Sequence, residues 1–368
     1  MYLIVTVDTE EEGLWGGSYP ADGGTVRNVI EGVPRFQEVC ERYGVRPVYL
    51  IDTPVATDPT ARGLLRELAA AGRCEVAAHL HPWCTEPHGT YTFPRDSYMM
   101  NLPPELQARK LQTLTEQITE AVGRRPTSFR AGRYGLDATG AALLIELGYH
   151  VDSSIVPFTR HTRDGGPDFS EASPTPFWFD GTNWPAPGNN GTAAAPELAP
   201  AAQRPPAIEA ADPQGRAGGE AKAGKSPAAT AARTLLEVPV AAGYTRTPFD
   251  WRHRLRDRLE RSWVRRIKAV GVIDRLGIAR RVKFCPEQAE AADLKALIDC
   301  YLDLQMPCMV MMMHSSSLAA GYSPYTPTLD ALERFYARLE ETLDHARRRG
   351  LQPVTFEEFY QAYLRSGA

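Results

Sequence analysis

Tyr2-Leu3-Ile4-Val5-Thr6-Val7-Asp8-Thr9-Glu10 opens the chain, and its reading decides the fold. The run from Tyr2 to Val7 is apolar and rich in β-branched residues, so it reads as a buried strand. The strand ends in carboxylates, Asp8 and Glu10. The same grammar recurs downstream. A helical stretch spans Val33 to Tyr43 and is ended by Gly44, and a strand follows from Arg46 to Ile51. Asp58-Pro59 starts a helix that runs to Gly72, with proline in the first turn and glycine past the end. Cys74 to Ala78 is the next strand, Pro103 to Gly123 a long helix, and Ser128 to Ala131 a short strand. Leu136 to Leu147, closed by Gly148, is a helix, and Tyr149 to Asp152 a strand. Further on, Leu235 to Val240 and Met309 to Met313 read as strands separated by helices.

Alternating strands and helices predict a parallel sheet. Roughly seven such repeats predict a distorted (β/α)7 barrel, closed or nearly closed, rather than an open sheet. Two insertions interrupt it. Residues 186–233 are almost only alanine, proline, glycine and short polar residues, and such a stretch cannot bury enough surface to offset its ordering entropy. It is expected to be flexible and to divide the barrel into a first part, 1–185, and a second, 234–368. Within the second part, 251–283 is dense in arginine, while Leu255, Leu259, Trp263, Ile267 and Val270 recur at helical spacing. That pattern predicts a basic amphipathic helix, either packed on the barrel or docked on an anionic membrane or a phosphate-bearing substrate.

Composition narrows the class. Hydrophobic residues make up 43% and charged residues 23%, as in a soluble globular protein. The net charge of -4 and the absence of a recognisable motif argue against nucleic-acid binding. The six cysteines form no CxxC pair, so no thiolate zinc site is indicated, and reduced core thiols are expected. Met1 to Val7 runs directly into acidic residues without a basic n-region, which predicts a cytoplasmic protein or one at the inner membrane face.

Chemistry gathers where predicted strands end, as it does at the mouth of parallel barrels. Asp8 and Glu10 follow the first strand, His79 and His81 the third, Arg130 the fourth, and His314 the run of methionines. The His79-Leu80-His81 spacing turns both imidazoles to one side of an extended segment. Two neutral imidazoles and a carboxylate suit zinc or a similar divalent ion. A hydrogen-bonded structural pair is the other reading of an isolated His-x-His. Trp83, beside His81, is a candidate to stack on a sugar ring, as are Trp15 and Trp184, with core packing the alternative for all of them.

The motifs, in order, resemble the NodB-type polysaccharide deacetylase family, carbohydrate esterase family 4. Thr6-Val7-Asp8-Thr9-Glu10 is similar to its opening acidic motif, in the Asp-x-Glu variant. Glu75-Val76-Ala77-Ala78-His79-Leu80-His81-Pro82-Trp83 resembles the second, with a shorter gap between the histidines. Phe129-Arg130-Ala131-Gly132-Arg133-Tyr134-Gly135 resembles the third with one added residue, and Asp152-Ser153-Ser154 the fourth. Met311-Met312-Met313-His314 matches the last, an apolar strand ending in histidine. The continuation through Ser315-Ser316-Ser317-Leu318 to Ser323-Pro324-Tyr325 resembles the branch associated with bacterial cell-surface glycan biosynthesis.

That resemblance implies a metal-dependent hydrolase that removes an N-acetyl or O-acetyl group from an amino sugar in a glycan or glycan precursor. It implies Glu10, His79 and His81 as ligands of a divalent ion, Zn2+ foremost, with Co2+, Ni2+ or Mn2+ as alternatives. Asp8 would be the general base, Arg130 the cation that keeps it ionised, His314 the general acid, and the Tyr134 backbone N–H an oxyanion donor. Thr9 stands where the family usually has a second aspartate, which leaves open whether Asp8 or Glu10 is the carboxylate ligand. Asp152 is a candidate to tune His314, or equally a turn cap. A hydrolase of non-sugar amides, a deformylase and a non-catalytic glycan-binding member are the competing readings.

Overall fold

The computed structural model describes residues 1–17, 19–21, 23–179, 184, 234–261 and 269–366. The stretch 186–233, read above as a flexible insertion, lies outside the described residues, as does 262–268 within the basic segment.

Parallel strands form the frame. In sequence the strands of this sheet are β1 (Tyr2–Thr9), β2 (Val48–Ile51), β3 (Glu75–Leu80), β4 (Ser128–Ala131), β5 (Val151–Asp152), the short β6 (Phe177–Phe179), β7 (Leu235–Glu237) and, much later, β10 (Cys308–His314). Their spatial order is β10-β1-β2-β3-β4-β5-β7, with β6 antiparallel on the outer side of β7. A parallel bridge between Val240, just past β7, and Val310 in β10 joins the two ends, with the Ala241 N–H donating to the Val310 carbonyl at 3.0 Å. The sheet therefore curls into a distorted barrel held at its seam by little more than one bridge.

Helices α1 (Arg27–Arg42), α2 (Thr53–Thr57), α3 (Pro59–Ala70), α4 (Pro104–Val122), α5 (Ala138–Glu146), α8 (Ala291–Asp303) and α9 (Leu329–Arg348) alternate with the strands, as expected. The Asp58 carboxylate caps α3 by accepting the Thr60 and Ala61 N–H groups, which is why the Asp-Pro pair starts a helix there. The last helix, α10 (Phe356–Ser366), follows a short strand, β11 (Gln352–Pro353), and packs Phe356 and Phe359 with Ile4, Leu50, Ala77 and Val310.

Strand alternation explains how one barrel serves both stability and chemistry. Leu3, Val5 and Val7 of β1, with Met309, Met311 and Met313 of β10, join the large cluster shared with the helices. The other parity starts apolar and turns polar along each strand. In β1 it runs Ile4, Thr6, Asp8; in β3, Ala77, His79; in β10, Cys308, Val310, Met312, His314. Register keeps these in line, because Asp8 pairs with His314 and His79 with Arg130. The apolar halves close one end of the barrel and the polar ends meet at the other.

The basic segment departs from expectation. Residues 251–283 do not form one helix. Among the described residues they include α6 (Phe249–Arg261), α7 (Ala269–Arg275) and β9 (Arg281–Lys283), which pairs antiparallel with β8 (Ala242–Tyr244). Gly277 lies at φ 64° after α7, and its left-handed backbone ends that helix. Several of the arginines are spoken for within the fold. Arg256 pairs with Glu260 and Asp274, and Arg252 donates to the Ile278 carbonyl. Among the described residues, no helix is long and apolar enough to cross a membrane.

Candidate active site

A cleft of about 160 Å³ opens at the polar end of the barrel, lined by Asp8, Glu10, His79, His81, Tyr134 and His314 among others. The sequence-predicted catalytic and metal residues therefore line one cleft, except Arg130, which lies directly beneath Asp8.

Three side chains converge on one point. The Glu10 Oε2 atom lies 3.5 Å from His79 Nε2 and 3.3 Å from His81 Nε2. Candidate ligand atoms of Glu10, His79 and His81 all lie within 4.8 Å of one another. Each histidine is oriented through its other nitrogen. His79 Nδ1 meets the Arg130 carbonyl at 2.9 Å, which makes Nδ1 the protonated donor and leaves the Nε2 lone pair facing Glu10. His81 Nδ1 meets Glu11 Oε2 at 2.9 Å. The donor set and its buried supports fit a divalent ion of the zinc type. Burial raises the Glu10 carboxyl, but the two imidazoles beside it, with His314, outweigh that and bring its pKa down to about 2. Thr9 turns the other way and donates from its hydroxyl to the Val7 carbonyl.

The support beneath His81 was not legible in the sequence. Glu11 also accepts the Trp83 Nε1–H at 2.7 Å, and its own N–H donates to Asp52 Oδ2 at 3.0 Å. Burial, with Glu11 adding, pushes Asp52 well above the usual carboxylate range, whereas His81 draws Glu11 below it against the effect of burial. Asp52 ends its strand as Asp8 does, so the strand-end rule could have found it. Glu11 had no such signal beyond its adjacency to Glu10.

Gly132 shows how closely this wall is built. A Cβ there would sit 2.5 Å from His81 Cδ2 and 2.6 Å from the Leu80 carbonyl. Gly132→Ala is expected to displace the His81 ring and weaken divalent-metal affinity by about 10–100-fold. Competition against a chromophoric chelator measures this, and an unchanged affinity would contradict the role assigned to His81.

On one side of Glu10 lies Asp8, whose Oδ1 accepts from Arg130 Nη1 at 2.5 Å. Arg130 is fully buried and held from every side: Nε donates to the Ser153 carbonyl, Nη2 to Ser153 Oγ and Nη1 to Thr6 Oγ1. Burial alone would raise the Asp8 pKa, but Arg130, aided by His79 and His314, brings it down to about 2. Asp8 is consequently ionised at any physiological pH.

On the other side lies His314. Glu287 clamps it at two points, accepting the backbone N–H at 2.8 Å and meeting ring Nδ1 at 2.9 Å. Burial lowers the His314 pKa, but Glu287, with Glu10 and Asp8, raises it to about 9. Glu287 sits in the connection from β9 to α8, off any strand end, and no sequence pattern marked it. Asp152 does not approach this role. Its carboxylate accepts the N–H and hydroxyl of Ser154 at 3.1 and 2.7 Å, so it is the turn cap of the two readings.

The imidazolium at position 314 fixes a pH signature. A pKa raised from 6.5 to about 9 means that the protonated form persists above the ordinary value and is lost only as pH climbs through about 9. The alkaline limb of kcat/KM is expected there, and Glu287→Gln is expected to move it down by about one unit or more. An alkaline limb indifferent to Glu287→Gln would remove His314 as the acid.

The tryptophans redistribute. Trp83 lines the cleft but is 2% exposed, with its face stacked on His81 at 4.3 Å. Trp15 is 38% exposed at the rim, with its edge toward His314 at 5.0 Å and its Nε1–H on Ser316 Oγ. Trp184 packs on Phe179, away from the cleft. The Tyr134 wall is conformationally unusual. Arg133 and Tyr134, neither of them glycine, adopt φ values of 54° and 62°, and such backbone tends to persist where a site demands it. Of the histidines outside the motifs, His150 pairs with Glu357 and His345 with Asp299.

Fold and site together define a distorted α/β barrel with a two-histidine, one-carboxylate centre flanked by a base-like and an acid-like residue. No family model and no curated protein matches the chain. Solved structures similar to it include a putative polysaccharide deacetylase from Mycobacterium smegmatis, 16% identical, covering 96% of this chain and 93% of that one at a TM-score of 0.45. A probable polysaccharide deacetylase from Pseudomonas aeruginosa PAO1 is 14% identical over 99% of this chain and 91% of that one, with a TM-score of 0.46. Puue allantoinase is 12% identical, covering 98% and 89% at a TM-score of 0.47.

Proposed function

We propose that the chain is a metal-dependent deacetylase that hydrolyses the N-acetyl, or O-acetyl, group of an amino sugar in a glycan or glycan precursor. The observation that carries this reading is the placement of Asp8–Arg130 and His314–Glu287 on either side of Glu10, His79 and His81. A site that only bound glycan would have no use for an ionised carboxylate and a protonated imidazole facing the same centre.

Glu10, His79 and His81 would hold a divalent ion, which would polarise the acyl carbonyl and acidify a water. Asp8 accepts the proton of the attacking water, and Arg130 keeps that carboxylate ionised and fixed. His314 delivers a proton to the leaving nitrogen, so the amine departs neutral while the acyl group leaves as carboxylate. The Tyr134 backbone N–H supports the developing oxyanion. Trp15 supplies an apolar surface at the rim for the sugar ring.

Acetate release from a panel of N-acetylated sugars, nucleotide sugars and oligosaccharides tests the reading. Release by the metal-loaded wild type, suppressed in a His314→Ala variant that still folds, is the expected result. Absence of release from every member, with metal bound, would move the assignment to another acyl group or to a binding function.

A further inference from the structure

Tyr134 belongs to two cavities. Its far side faces a larger chamber of about 380 Å³, lined also by His161, Arg280, Arg281, Lys283 and Asp293. This chamber is basic. Arg280 is paired with Asp293, and Arg281 donates to the Phe158 carbonyl and lies 3.7 Å from Glu260. Lys283 is different. Its Nζ sits 3.4 Å from the Tyr134 hydroxyl and 5.7 Å from that ring's centroid. Among the described residues it forms no ion pair with a carboxylate. The neighbouring His161 registers the resulting field: burial first, then Lys283, Arg133 and Arg281, push its pKa down to about 4.

We propose that this chamber binds the phosphate of a sugar phosphate, so that the substrate is an N-acyl amino sugar esterified with a phosphate or diphosphate. The proposal rests on the deacetylase reading, which it narrows to a substrate class. With no carboxylate of the described residues at ion-pair distance, and Glu287 acting on it only from further off, the Lys283 cation would be stabilised by an anion brought by a ligand. A phosphate ester brings nearly two negative charges and several acceptor oxygens, more than a single uronate carboxylate offers. Arginine forks and a lysine are the usual partners of such groups. Tyr134 lines both the cleft and the chamber, so the two adjoin at that side chain, and the acyl and phosphate ends of one substrate would lie on either side of it. An uncharged polymer would leave the chamber unused.

Glucose 1-phosphate, which lacks an acyl group, is the probe, with glucose as its neutral control. Calorimetry on the metal-loaded protein is expected to show glucose 1-phosphate binding at least tenfold tighter than glucose. Lys283→Met is expected to weaken that binding by about 10–100-fold, the size of one charge-assisted hydrogen bond, and Lys283→Arg to restore most of it. The ratio of kcat/KM for N-acetylglucosamine 1-phosphate over N-acetylglucosamine is expected to fall in step. UDP-glucose binding tighter than glucose 1-phosphate would identify a nucleoside diphosphate as the source of the phosphate, and equal binding a simple ester. Glucose 1-phosphate binding lost in Lys283→Met, with no acetate released from any substrate, would uphold the chamber and sink the deacetylase reading. Binding no tighter than glucose, or a Lys283→Met protein with unchanged affinity and an unchanged substrate ratio, would overturn the proposal.

Discussion

Replacing Asp8 with asparagine is expected to lower kcat/KM by about 10²–10⁴-fold, the range that one positioned general base contributes, while bound metal is retained. The geometry separates these outcomes. Asp8 lies at the cleft with its carboxylate on Arg130, whereas Glu10 is the carboxylate that meets both imidazoles. An asparagine keeps the size of the side chain and can still accept from Arg130, but it cannot take up a proton. Metal content measured on the same preparation decides the matter. Loss of metal together with activity would make Asp8 a ligand and Glu10 the base. Activity within tenfold of wild type would exclude Asp8 from proton transfer.

Arg130→Met is expected to cost about 3–5 kcal/mol of stability at neutral pH, because it leaves the Asp8 carboxylate buried and unpaired. The cost has a defined pH dependence. In the wild type the Asp8 pKa is lowered to about 2, so the pair contributes stability above the ordinary carboxylate value and loses it as pH falls through about 2. Without the guanidinium, burial acts unopposed from that side and the carboxyl moves upward. The variant can then neutralise Asp8 by taking up a proton at a pH where the wild type cannot. Its deficit should therefore be largest near neutrality and shrink toward pH 4.5. Urea denaturation midpoints of both proteins at the two pH values test this. A deficit below about 1 kcal/mol, or one that does not change with pH, would mean that the Asp8–Arg130 pair is not the buried charge pair that the distances indicate.

Much of this site could be read from the sequence, because strand alternation is a strict rule. Once β1, β3, β4 and β10 were recognised as parallel and buried, the residues at their ends had to meet, and Asp8, Glu10, His79, His81, Arg130 and His314 do. Alternation also explains why Glu10 and not Thr9 reaches the site beside Asp8, since side chains on alternate positions share a face. Elements without periodicity escaped. Glu287, the partner of His314, comes from an irregular connection, and only the closed fold brings it to the ring. An indole beside such a histidine reads the same in sequence whether it faces ligand or backs the ring, and only the structure shows the Trp83 face lying on His81. An arginine-rich pattern records charge, not where its counter-charges lie: Asp274 and Glu260 for Arg256, and the Ile278 carbonyl for Arg252, become visible only in the fold.

Metal content is the measurement that bears most directly on the central claim. The wild-type protein, stripped and then reloaded separately with zinc, cobalt and manganese, is analysed beside His79→Ala by elemental analysis after gel filtration. About one divalent ion per wild-type chain, absent from His79→Ala, is the predicted result. A wild-type chain that retains no ion from any of these metals would contradict the account, because Glu10, His79 and His81 would then have no shared ligand to explain their convergence.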